Sequence, residues 1–96
     1  MPERHEVTIL KIVLDVLKPH RPPLTEFTAD LAGLRGVHKV DATILEVDKE
    51  TETVKLLVEG SSISFDHLQE SIMKMGAAVH SIDQVVAERT SKAKSE

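Results

Sequence analysis

Residues 7–17, VTILKIVLDVL, alternate in two registers: Thr8, Leu10, Ile12, Leu14 and Val16 against Ile9, Lys11, Val13, Asp15 and Leu17. A strand shows successive side chains to opposite faces, so the first set predicts a face in the core and the second a face only partly covered. After the corner KPHRPP, Leu24, Phe27, Leu31 and Leu34 recur at steps of three and four, the stripe of an amphipathic helix, and Gly36 stands where such a helix stops. The run VHKVDATILEVDKETETVKLLVEG reads as two strands joined by a charged turn near Lys49–Thr53, a hairpin without the Asn-Gly pair. Ser64 or Asp66 is placed to cap a second helix on Phe65, Leu68, Ile72 and Met75, with Gly76 at its end, and AAVHSIDQVVA predicts a last strand.

Each apolar position of the first helix recurs 41 residues later, Leu24 as Phe65 through Leu34 as Met75, so the chain reads as two βαβ halves. The order β-α-β-β-α-β folds most economically as a ferredoxin-like α+β sandwich, a four-stranded antiparallel sheet of order 4-1-3-2 with two helices on one face. A single domain is expected over residues 1–88, followed by a polar tail at 89–96. Val40, Ala42, Ile44, Val54, Leu56 and Val58 would lie beneath the helices. The open face would carry Ile9, Lys11, Val13, Asp15 and Leu17, then Asp41, Thr43, Leu45 and Val47, then Lys55, Leu57 and Glu59. That mixture is too apolar for a solvated sheet and points to contact with a partner. Both alternations of the last strand, Val79-Ser81-Asp83-Val85 and His80-Ile82-Gln84-Val86, are amphiphilic, so its facing stays open; a bulge would shift its register midway.

Composition narrows the function classes. Ninety-six residues, 41% of them hydrophobic, give one small core that gains from oligomerisation. A net charge of -4 and only two aromatic residues, Phe27 and Phe65, lack both the basic footprint and the stacking platform of a nucleic-acid binder. The absence of cysteine excludes a disulfide framework and a thiolate metal site. Asn is absent and Gln occurs only at Gln69 and Gln84, the depletion of thermolabile amides that suits a heat-adapted source. The segment MPERHE is charged and no apolar run approaches a membrane span, so the expected setting is cytoplasmic, with no membrane partner.

Candidate chemistry rests on acids and histidines. Asp15 with Glu59, Asp41 or Asp83 would make an oxygen-rich site for calcium or magnesium; the ordinary alternative is an ion pair with Lys11 or Lys55. The turn EVDKETETVK gathers Glu46, Asp48, Glu50 and Glu52 without the spacing or glycine of an EF-hand, which reads as a solvated hairpin tip or as a cation site at a subunit boundary. The candidate metal ligands are Asp15, Glu46, Asp48 and Asp83. His5, His20, His38, His67 and His80 form no HExxH and no i, i+4 pair, which favours structural or surface roles. Alternation points His80 away from Asp83. No Ser nucleophile motif, phosphate loop or dinucleotide fingerprint occurs, so no catalytic residue is assigned and no enzyme is expected.

The segments VLDVLKPH, LEVDKETETVK and VHSIDQVVAER resemble the archaeal domain of unknown function 211 family, and the likeness spans about Val7 to Arg89. They contain Asp15, Lys18, Pro19, His20, Glu46, Asp48, His80, Ser81 and Asp83. The resemblance implies a ferredoxin-like fold, cyclic homo-oligomers and bound divalent cations, with no assigned activity. Heavy-metal-associated domains need a Cys-x-x-Cys where this chain has KPHRPP, RNA-recognition motifs need aromatic residues on central strands, and the glycine-bearing first loop of ACT domains is not matched. The expectation is a non-enzymatic homo-oligomer binding a divalent cation or small ligand at subunit boundaries. The alternatives are a regulatory small-molecule module and an enzyme with an intersubunit site on His20 or His80.

Overall fold

The computed structural model describes residues 6–90 as β1 (Val7–Pro19), α1 (Leu24–Ala32), β2 (Val37–Val47), β3 (Thr51–Gly60), α2 (Phe65–Lys74) and β4 (Ala78–Arg89). The sheet is antiparallel throughout in the order β2-β3-β1-β4, the expected arrangement read from its other edge. One face of β1 and β3 supplies Ile12, Leu14, Val16, Val54, Leu56 and Val58 to the core, where they meet Phe27 and Leu31 of α1 and Leu68 and Ile72 of α2. The period-2 and period-3.6 stripes therefore close on each other, and burial of these branched side chains is the main source of stability.

The helices end where backbone chemistry stops them. Ser64 caps α2 by accepting from the His67 amide at 3.2 Å, which resolves the choice between Ser64 and Asp66. At the other end, Ala77 N donates to Ile72 O at 3.1 Å and Gly76 N to Met73 O at 2.9 Å, with Gly76 at φ 85°. This is the paired closure that a left-handed glycine permits. The first helix stops earlier than Gly36, at Gly33; Gly36 instead turns the chain at φ 85° into β2. There it passes so close to β3 that a Cβ on Gly60 would lie 1.9 Å from Gly36 O.

Bulges correct the expected facing of several residues. The pairings step from Ile9–Ala87 to Lys11–Val86, leaving Leu10 as an extra residue, and Ile9 packs against the core instead of standing on the open face. On β2 the steps Val37–Gly60 to Lys39–Glu59 and Ile44–Val54 to Glu46–Thr53 leave His38 and Leu45 extra. Beyond Leu45 the phase is inverted: Glu46 lies opposite Thr53, and Val47 lies opposite Glu52, off the open face where it was expected. On β4, Asp83 and His80 are the extra residues, so this strand carries the midway register shift that its two amphiphilic alternations suggested. Val40 and Ala42 pack on the core as expected, but Ile44 is 37% exposed, because β2 is an edge strand and α1 does not reach that far.

β4 runs through Arg89, and Thr90 N bonds Glu6 O at 3.0 Å, so pairing continues past the boundary expected at residue 88. The tail at 91–96 and His5 lie outside the described residues. No helix among the described residues is long and apolar enough to cross a membrane.

Candidate functional site

Two polar clusters interrupt this apolar framework, one on each side of the sheet. On the open face Asp15 and Lys55 are direct cross-strand partners, and the bulge at Asp83 brings a second carboxylate to the same lysine. Lys55 Nζ lies 3.1 Å from Asp15 Oδ1 and donates to Asp83 Oδ2 at 3.0 Å, while Ser81 Oγ donates to Asp83 Oδ1 at 2.9 Å. Asp15 Oδ1 is shielded from solvent and has only this charge contact, out of line for a hydrogen bond. Lys55 lowers the Asp83 pKa, with help from Ser81, and the carboxylates of Asp83 and Asp15 raise that of Lys55. Asp15 is thus ion-paired with Lys55, whose ammonium stands between two of the candidate ligands.

The other two candidates lie elsewhere. Glu46 and Asp48 sit at the exposed end of the β2–β3 hairpin, with β3 between β2 and the strand that carries Asp15. Among the described residues no three His, Asp or Glu side chains come together as a metal group. His38 and His67 are exposed. His80, also exposed, lines a small cavity of about 260 Å³ with Asp15, Val16, Leu17 and Thr53.

The second cluster lies on the helix side, at the corner KPHRPP. Lys18 continues the inward phase of Ile12, Leu14 and Val16, so the strand carries it into the core, where it is 0% exposed and 5.7 Å from the centre of the Phe27 ring. Its ammonium is satisfied by Glu52 Oε1 at 3.1 Å, directly opposite on β3, and by Pro19 O at 2.9 Å. The other oxygen of Glu52 meets His20 Nδ1 at 3.0 Å, and His20 Nε2 lies 3.0 Å from Lys49 O. Both imidazole partners are acceptors, so both ring nitrogens must donate and His20 is an imidazolium in this geometry. Its pKa is raised, first by the hydrogen bond to Glu52, and that of Glu52 is lowered, first by His20.

This clamp forms one end of an open groove of about 770 Å³ lined by His20, Arg21, Pro22, Pro23, Glu26, Lys74 and Met75. The sequence alone assigns no role to Lys18 or Lys74 and places Glu52 in a turn read as a solvated hairpin tip or as a cation site at a subunit boundary. The signal for Lys18 was present, since the inward phase 12, 14, 16 continues to 18. Lys74 could not have been connected with His20, because only the packing of α2 beside the corner brings them together.

Comparison with known proteins agrees with the resemblance. A family model for DUF211, described as uncharacterized ArCR, matches residues 10–92. The chain is also 48% identical over 79 residues to the uncharacterized protein MJ0319 of Methanocaldococcus jannaschii, across 82% of this chain and 81% of that protein. With both the family pattern and the relative covering most of the fold described above, the chain belongs to the DUF211 family.

Proposed function

We propose that this protein is a non-enzymatic cytoplasmic module that assembles with copies of itself and takes a divalent cation or small ligand where subunits meet. The observation that carries the reading is the apolar character of both edge strands. Ile44, Leu45 and Val47 on β2 are 37%, 53% and 63% exposed, and Ile82 and Val85 on β4 are 49% and 50% exposed. A sheet edge with unpaired backbone groups and uncovered aliphatic side chains invites a further strand. Two different apolar edges on one chain suit a head-to-tail contact, the kind that closes into a ring. Such a contact would draw Glu46 and Asp48, at the β2 end of one copy, toward Asp83 on the β4 edge of the next, which is the support for a cation at the boundary.

Native mass spectrometry at micromolar concentration tests assembly: a multiple of the chain mass is expected, and a strict monomer overturns the reading. Calorimetry with calcium and with magnesium tests the cation; absence of both heat and thermal shift retires that part. A second reading, an intersubunit enzyme, has one observation in its favour, the cavity shared by His80 and Asp15. His20 is poorly suited to it, since an imidazolium donating from both nitrogens has no lone pair to act as a base.

A further inference from the structure

The groove at the KPHRPP corner is lined within one chain and is rich in cationic residues. Its walls present the His20 imidazolium, the Arg21 guanidinium and the Lys74 ammonium against one carboxylate, Glu26, in a chain whose net charge is -4. Among the described residues, neither Arg21 nor Lys74 has an acidic partner within ion-pair distance. The groups behind the wall add no net negative charge, because Glu52 is shared between His20 and the buried Lys18. Lys74 and Met75 also line an adjoining shallow depression with Asp30 and Ser71, which puts a second carboxylate at the Lys74 end of the groove without an ion pair to that lysine. Pro22, Pro23 and Met75 supply an apolar floor, and the volume falls within the range of roughly 300–1,000 Å³ usual for small-molecule sites.

We propose that this groove binds a small phosphomonoester, with the phosphate held by Arg21 and Lys74 beside the His20 charge and the organic body lying on Pro22, Pro23 and Met75. A guanidinium fork and a flexible ammonium together suit a phosphate group, and the three cations outnumber Glu26 within the groove and Asp30 at its Lys74 end. His20 acts here as a positioning residue: its hydrogens are committed to Glu52 and Lys49, so it contributes charge and fixes the corner that aims Arg21. The inference deepens the ligand-binding part of the proposed function but does not depend on assembly, since every lining residue comes from one copy.

The test is titration of the protein with phenyl phosphate, followed by amide NMR shifts, with phenylacetate and inorganic phosphate as parallel arms. Phenyl phosphate is expected to shift the amides of Arg21, Lys74 and Met75 and to bind more tightly than either comparison ligand. Arg21→Gln with Lys74→Gln should weaken it by at least about tenfold, the scale of a lost charge-assisted contact. Both side chains are exposed, so an unchanged melting temperature shows that the variant still folds. His20→Gln should weaken binding at pH 6 and much less above the raised His20 pKa, a dependence that a purely structural residue would not give. No shifts at millimolar phenyl phosphate, shifts confined to other surfaces, or equal affinity in the double Gln variant would overturn the proposal. Preference for phenylacetate would overturn the phosphate assignment. A monomer that binds would retain this inference while removing the assembly reading.

Discussion

Glu52 holds two cations at once, and its two oxygens serve different ends. One compensates Lys18, which the strand phase forces into the core; the other fixes His20 at the loop that leads to α1. Removing the carboxylate leaves a buried ammonium short of its counter-ion, whereas removing the lysine leaves a partly exposed acid that still has His20. Glu52→Gln should therefore cost about 2 kcal/mol in urea unfolding, less than a fully buried pair because Glu52 keeps some contact with water. Lys18→Met should cost less than about 1 kcal/mol, because an apolar chain fills the same space beside Phe27. The pH dependence follows from the directions of the shifts. The raised His20 pKa stabilises the fold fully below its unfolded value near 6.5, and that contribution is lost as pH rises through the folded value. The lowered Glu52 pKa stabilises above its unfolded value near 4.5 and is lost as pH falls through the folded value. The clamp is thus strongest between these two unfolded values. In a histidine NMR titration, Glu52→Gln should return His20 toward about 6.5; an unmoved titration would remove Glu52 as the cause.

At the scale of elements, the strands outrun the helices. A 13-residue strand extends about 43 Å while a nine-residue helix covers about 14 Å, so α1 and α2 roof only part of the sheet. The uncovered ribbon of β1 and β4 around Val7–Arg89 and the exposed end of β2 are direct results of that mismatch. Where the two halves do meet tightly, glycine is required. Gly60→Ala would drive a methyl into Gly36 O, backbone that cannot swing aside, and should cost at least about 3 kcal/mol. Gly33→Ala, at φ -86° with nothing nearer than 3.6 Å, should instead stabilise by about 0.5 kcal/mol through the unfolded chain. Thermal melts of the two variants make the comparison; equal destabilisation would contradict the assigned close approach.

For the whole molecule, an extent of 55 × 23 × 19 Å describes a long, thin body with two apolar edges rather than a closed sphere. If assembly is head-to-tail, Leu45→Lys with Val47→Lys on β2 and Ile82→Lys with Val85→Lys on β4 should each reduce the mass to a monomer. Mixing the two variants should then restore one intact contact and give a dimer alone; homodimers of either variant would show that the interface pairs like with like. The element order, strand order and core stripes were legible in the sequence, because alternation and the three-four spacing are local consequences of backbone geometry. Asp15 shows the limit of that reading. Its neighbours Leu14 and Val16 place it on the open face, but Lys55 comes from β3 and Asp83 arrives through a bulge, neither of which a local pattern encodes. The sequence by itself therefore determined which residues face the core along each uninterrupted run. The bulges, the burial of Lys18 against Glu52, and the meeting of His20, Arg21 and Lys74 were decided only by tertiary structure. The physical reason is that register and charge pairing depend on strands and helices distant in the chain, whose side chains meet only once the sheet has closed beneath the helices.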